Sequence, residues 1–368
     1  MGKGFSIYLD FVRFAAACLV YLYHSNQRLL VDHELPASGY GHSAVVVFFV
    51  LSGLVIAFVT DVKEQRWTSY AASRIARIYS VALPAVLLTM LLDLLGRQAH
   101  PALYQLHPFD HFIVRPLASL LMLNEMWFVS ITSFSNGPYW SIAYEMWYYV
   151  GFGILAFVPG RAKIGAALAW ALLVGPKILL MAPIWMLGVL LYRWKRLYTL
   201  SLGQAWCLVV GSAVGIIVFH QVDLTWRIAA HFKDLVGAYW YAQFTYSRFF
   251  MSDYLLGSLV FLHFAGMRRV STQLAPALAV CERPIRYLAG YTLSLYLLHQ
   301  PLFLFWAALI HGDPSGYTYW AMTTVMVALS VWAIGWLTEN KRHVLKHWLE
   351  QLFIRAHTRL YPSHAANT

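Results

Sequence analysis

The stretch Leu9–Ser25, LDFVRFAAACLVYLYHS, sets Asp10, Arg13 and His24 inside one apolar segment of helical length. A charged group in a membrane span costs at least a few kcal/mol, so such groups mark function more often than packing. From Arg13 to His24 the chain advances by eleven residues. At about 100° and 1.5 Å per residue it returns to nearly the same helix face, roughly 16 Å further along. Asp10 precedes Arg13 by three residues and shares that face. One side of one helix therefore carries an acid, a permanent cation and a titratable imidazole across about half a bilayer. The plainer reading is a polar stripe that packs against other helices, but an Arg and a His together are an expensive way to pack.

The rest of the chain has the same character. Hydrophobic residues make up 60% of its 368 positions and charged residues only 12%. The mean hydropathy is +0.57. An ordinary soluble domain carries about 25% charged residues, so the composition describes an all-α integral membrane protein. Apolar runs of span length fall near 5–24, 43–60, 78–95, 140–158, 203–219, 249–265, 288–310 and 318–338. Two shorter runs, near 162–175 and 179–192, flank Gly175-Pro176-Lys177 and read as a tight helical pair. Together these predict a bundle of about ten transmembrane helices. The piece Leu117–Trp127 is too short to cross and contains Asn124 and Glu125, so it reads as a re-entrant or interfacial segment. Asp10 and Arg13 argue against reading the first run as a cleaved signal peptide.

A net charge of +11 would suit nucleic acid, but its distribution has a better explanation. With the N-terminus in the cytoplasm, 19 of the 27 Lys and Arg residues fall on the cytoplasmic side, as the positive-inside rule requires. The partner is then the lipid bilayer, with no nucleic acid. Both termini become cytoplasmic, His24 lies toward the outer face, and a basic tail (341–368) follows a transmembrane domain (1–340). Cys18, Cys207 and Cys281 form neither a disulfide framework nor a metal-binding spacing. His107/His111 and His343/His347 have helix-compatible metal spacing, but no third ligand accompanies either pair, so no metal site is expected.

Five segments, in order, are similar to the membrane acyltransferase-3 family of O-acyltransferases. Leu9-Asp10-x-x-Arg13 followed by His24 resembles the family's opening. Phe48-Phe49-Val50-Leu51-Ser52-Gly53 resembles its Phe-Phe-x-x-Ser-Gly, and Arg74-Ile75-Ala76-Arg77 its Arg-x-x-Arg. Trp140-Ser141-Ile142-Ala143-Tyr144-Glu145, continued by Tyr148, resembles its Trp-Ser-x-x-x-Glu. Ser294-Leu295-Tyr296-Leu297-Leu298-His299-Gln300-Pro301 resembles its Ser-Leu-Tyr-Leu-x-His-x-Pro. Phe11 and Phe14 depart from the usual small residues, and Ser80 from a common Pro. The resemblance implies transfer of an acyl group, often acetyl, from a cytoplasmic acyl-CoA to a hydroxyl of a carbohydrate. The acceptor it implies is often a surface glycan or its lipid-linked precursor, in a bacterial inner membrane. No permanently bound cofactor is implied.

The residues suit that chemistry. A hydroxyl is a poor nucleophile until its proton is removed, and neutral imidazole serves near neutral pH, which makes His24 the general base. An acyl-imidazole on His24 is the covalent variant. Asp10 or Glu145 would orient the base or balance Arg13. Arg13 is too far along the helix to touch His24, and either pairs with Asp10 or holds the acyl-CoA. Arg74 and Arg77, one turn apart, suit the phosphates of CoA, or else anchor lipid head groups. Ser141, Tyr144, Glu145 and Tyr148 share a face by spacing and are expected at the outer end of a span, beside His24. Trp140 and Trp147 suit sugar stacking or the interfacial aromatic belt. His299, before a probable kink at Pro301, is either a core histidine or a supporting site residue. Two rival functions stand beside this one. The first is a secondary transporter binding substrate or protons at Asp10, Arg13 and Glu145. The second is an acyltransferase for a small cytoplasmic acceptor.

Overall fold

The computed structural model describes residues 1–360. Residues 361–368, the end of the expected basic tail, lie outside the described residues. The order is α1 (Lys3–Leu29), α2 (Gly41–Val62), α3 (Trp67–Ala99), α4 (Val114–Leu120), α5 (Trp140–Phe157), α6 (Ala162–Val174), α7 (Pro176–Arg193) and α8 (Leu202–Gln221). Then come α9 (Leu224–Gln243), α10 (Phe250–Val270), α11 (Ala275–Val280), α12 (Glu282–Ala289), α13 (Thr292–Ile310), α14 (Tyr317–Leu337) and α15 (Arg342–Leu360). Among the described residues, eight helical stretches are long and apolar enough to cross a membrane. The two other expected spans also form helices. These are α5, diluted by Glu145 and its tyrosines, and the 13-residue α6. The chain is an all-α, multi-pass membrane protein.

Helix ends fall where the chemistry puts them. Gly175, at φ +77°, ends α6, and Pro176 opens α7 at its first helical position, the expected order for a tight helical pair. Ser201 and Gln204 close a capping box at the start of α8. Leu83, Leu87, Leu91 and Leu94 stand exposed down one side of α3, and Val325, Leu329, Trp332 and Trp336 down one side of α14. Apolar stripes this long face lipid, not water.

Contacts define two faces. At the proximal face, which carries the N-terminus, Lys3 pairs with Glu282 at 2.7 Å, and Arg193 with Asp61 at 3.5 Å. At the distal face the Val31 N–H donates to the Pro314 carbonyl at 3.1 Å, and the Trp127 N–H to the Val174 carbonyl at 3.0 Å. The segment around Asn124 and Glu125 leaves and re-enters at this distal face. Its only helix, α4, has seven residues, about 10 Å of rise, far short of a bilayer.

Two features add to the sequence reading. The α9 helix lies between two expected spans, kinked at Gly237, with Trp226, Leu235, Tyr239 and Trp240 exposed. Its Arg, Lys and Asp residues break any apolar run, so it carries no span signal. The basic tail is not free. Its helix α15 packs along α3, with Leu345 and Leu349 against Ala72, Ile75 and Ala76.

Helices α2 and α7 cross almost backbone to backbone. A Cβ on Gly53 would lie 2.0 Å from the Trp185 carbonyl oxygen, and one on Gly188 would lie 2.0 Å from that of Val50. Backbone cannot yield as a flexible side chain can. Gly53→Leu or Gly188→Leu is expected to force the helices apart and cost about 1–3 kcal/mol or more. A lower melting temperature of the purified protein in detergent checks this, with Gly203→Leu, which meets open space, as control.

Candidate active site

His24 and His299 meet between α1 and α13. The His299 Nδ1–H donates to the carbonyls of Tyr296, at 2.7 Å, and Leu295, at 3.1 Å. Carbonyls only accept, so Nδ1 carries the proton and Nε2 is left as an acceptor. That Nε2 lies 3.1 Å from His24 Nδ1, which also donates to the Val20 carbonyl at 3.0 Å. The same logic puts the proton of neutral His24 on Nδ1. Its Nε2 lone pair is therefore free, on a side chain that is only half-buried. The Val20 carbonyl and the His299 imidazole, itself held by two carbonyls, thus fix the tautomer of His24. His299 is fully buried and touches His24 through this bond.

Below this pair lies a narrow cleft between α1, α2, α3, α5 and α13. Arg13, Ser52, Arg74, Arg77, Ser141 and Glu145 line it, with Tyr149, Tyr296, Glu339 and Arg342. Its enclosed free volume is only about 50 Å³, room for a thin chain and not for a nucleotide. Its charge is dominated by arginine. Glu145 accepts hydrogen bonds from Ser52, at 2.6 Å, and from Tyr149. Glu339 accepts from Leu293 N–H at 3.3 Å, and from Ser294 N–H and Oγ–H, each at 2.9 Å. Neither carboxylate forms a close ion pair with an arginine among the described residues; Glu145 and Glu339 act on Arg77, and Glu339 on Arg342, from a distance.

The expected site residues divide between these two places. Arg13 lies in the cleft and pairs with Asp10 at 3.5 Å; Asp10 also accepts from Arg286 at 3.0 Å. Asp10 therefore balances arginines and does not orient His24. Glu145 was expected beside His24, and it faces the cleft instead, because α5 crosses α2 at Ser52. Ser141 faces the cleft too and hydrogen-bonds Tyr296 at 2.6 Å. Tyr144 and Tyr148 turn away, to Ser247 and to the Ile178 carbonyl. Trp140 is buried and stacks on Tyr246 at 4.5 Å, so it meets neither a sugar nor the membrane interface. Arg77 lines the cleft beside Tyr149, with which it shares a side-chain hydrogen bond. Arg74 has one nitrogen 2.8 Å from both oxygens of Glu64, so part of its fork is already used.

Sequence reasoning missed Glu339 and Arg342. They stand at the start of a basic run that reads as topology alone, and only the folding of α15 back onto α3 brings them to the cleft. Tyr296 links the two places. Its hydroxyl lines the cleft and its ring stands edge-on to His299, with centroids 6.2 Å apart.

His299→Leu is expected to lower kcat on the order of tenfold to a hundredfold, because it frees the tautomer and rotamer of the base. Acyl-CoA affinity should not change. Steady-state kinetics beside a direct acyl-CoA binding assay separate these outcomes. An unchanged kcat would remove His299 from the mechanism.

The model of the acyltransferase domain of the acyltransferase-3 family matches residues 6–339. No curated protein and no solved structure matches the chain. The match spans the histidine pair and nearly all of the cleft, and stops just before Arg342. By that match over most of its length, the chain belongs to the acyltransferase-3 family of membrane acyltransferases.

Proposed function

We propose that the protein moves an acyl group, acetyl in the simplest case, from acyl-CoA to a hydroxyl of a carbohydrate or its lipid-linked precursor. The carrying observation is the order of two sites along the bundle. An arginine-lined cleft opens proximally, and the imidazole pair stands one helical turn above its head. In this reading the proximal face is cytoplasmic, as its Lys and Arg content supports, and the membrane is the inner membrane of a bacterium. Phosphates of CoA would sit at the mouth against Arg77 and Arg342, with Arg13 deeper. The pantetheine arm would thread the cleft toward Tyr296 and Ser141. His24 Nε2 takes the proton of the acceptor hydroxyl as its oxygen attacks the thioester carbonyl. The C–O bond forms, the C–S bond breaks, and the proton passes to the leaving CoA thiolate. The hydroxyls of Tyr296 and Ser141 are the donors nearest the head of the cleft for the charge that builds on the carbonyl oxygen.

A transporter would place its polar groups on paired broken helices of two repeated halves. The five ordered motifs and the arginine-lined cleft support acyl transfer instead. Arg77→Gln and Arg342→Gln are each expected to weaken acetyl-CoA binding by about 1–3 kcal/mol, roughly fivefold to more than a hundredfold. Lys should rescue only in part, since it lacks the fork. Titration of the purified protein with acetyl-CoA, CoA and pantetheine tests this. Loss of CoA affinity with pantetheine affinity unchanged supports the placement; an unchanged CoA affinity in the double variant overturns it.

A further inference from the structure

The distal mouth above His24 is basic and unbalanced. Arg28 lies one turn beyond His24 on the same face of α1, about 6 Å along the axis. It is half-buried and forms no ion pair or hydrogen bond among the described residues. Arg28 and His107 are both within electrostatic reach of His24. His107 lies in the loop between α3 and α4, and its buried Nε2 has no hydrogen-bond partner. Burial, with the charges of Arg28 and Arg97, pushes its pKa down to about 4. The same rim holds His100, whose buried Nδ1 is also unpartnered, with its ring 5.8 Å from that of His311. No distal carboxylate pairs with Arg28 among the described residues. Asp32 accepts from Ser315 at 2.5 Å, Asp110 pairs with Arg115 at 2.6 Å, and Asp93 accepts from Ser135.

A half-buried arginine without a counter-ion lies beside a neutral imidazole whose nitrogen lacks a hydrogen-bond partner, so an oxyanion placed between them would satisfy both. The position narrows what that anion is. It lies within about one sugar ring of the reacting hydroxyl, on the side away from the CoA cleft. We propose that Arg28 and His107 form a subsite for an anionic substituent of the acceptor, so that the preferred substrate is an acidic carbohydrate, carrying a carboxylate or phosphate next to the acylated hydroxyl. This rests on the acyl-transfer reading for the identity of the acceptor, but not for the anion preference itself. Imidazole Nε2 gains a proton or donates one to the bound oxygen, and the guanidinium supplies the fixed charge.

The test uses the full-length protein in phospholipid-free detergent with three probes: methyl β-glucoside, methyl β-glucuronide and glucose 6-phosphate. Binding is read by thermal-shift titration, and acetyl-CoA binding is measured in the same preparations. The charged probes are expected to bind on the order of tenfold tighter than the glucoside. Arg28→Gln and His107→Gln should each erase most of that difference while leaving glucoside and acetyl-CoA affinity alone, and Arg28→Lys should keep part of it. The stronger of the two charged probes tells carboxylate from phosphate. Equal affinity for charged and neutral probes overturns the subsite, as does no binding of either charged probe. A preference untouched by Arg28→Gln does so too, and leaves Arg28 as a helix-terminal charge or a lipid head-group contact. Failure of the wild-type protein to bind acetyl-CoA refutes the acyl-transfer reading separately.

Discussion

His24→Ala is expected to lower acyl transfer by on the order of a hundredfold to ten-thousandfold or more, in protein that still inserts in the membrane. The size follows from the loss of a positioned general base. The cost to folding is small for a structural reason. His24 is half-buried, and its hydrogen bonds reach only its own helix, at Val20, and His299. Its removal opens no large cavity and strands no charge, since the Val20 carbonyl keeps its helical partner and His299 stays neutral. His24→Gln is expected to fail as well, because an amide keeps polarity and volume but cannot take a proton. Mass spectrometry of surface glycans, with the protein level in the membrane measured beside it, checks both. Ester content equal to wild type in either variant removes His24 from the chemistry. Partial recovery of His24→Ala by free imidazole would support the base role directly.

How much of this was legible depended on whether the signal was local. The stripe of Asp10, Arg13 and His24 rests on helix geometry within one span, and it stands: Asp10 and Arg13 pair, and His24 lies about three turns further along. The placement of Glu145 rested on its distance from the end of α5, which fixes depth but not direction. The crossing with α2 at Ser52 turns it to the cleft, and no spacing rule reports a crossing. The His299 contact with His24 joins residues 275 positions apart; only the motif around His299 hinted at it. Arg342 was hidden by its own neighbours, since a cation in a basic run looks like any other until the helix folds back. The α9 helix was missed for the opposite reason: its charges erased the apolar run by which spans are found.

The ion pair of Lys177 and Glu125 carries the largest expected effect on stability. Lys177 Nζ lies 2.6 Å from Glu125, and the two residues are 0% and 1% exposed. The ammonium also donates to the Val129 carbonyl at 2.7 Å and to Thr245 at 3.2 Å, while Ser130 donates to Glu125 at 2.7 Å. One contact thus ties the non-crossing segment to the first turn of α7 and to the chain entering α10. Removing one member leaves the other charged and unpaired in a dry site. Glu125→Leu or Lys177→Met alone is therefore expected to cost about 3–5 kcal/mol. Replacing both members by apolar residues of similar size, Glu125→Leu with Lys177→Met, removes the stranded charge. It should be far less harmful than the sum of the single changes. Melting of the four proteins in detergent gives the cycle. Strict additivity would mean that the two groups do not share an ionised pair. A double variant as stable as wild type but with a disordered distal segment, read by protease cleavage between 121 and 136, would show that the pair fixes the position of the segment and not the stability of the bundle. In that case the acceptor binding proposed for the distal face is expected to suffer while the acyl-CoA binding proposed for the proximal face does not, because only the distal face is built on this segment.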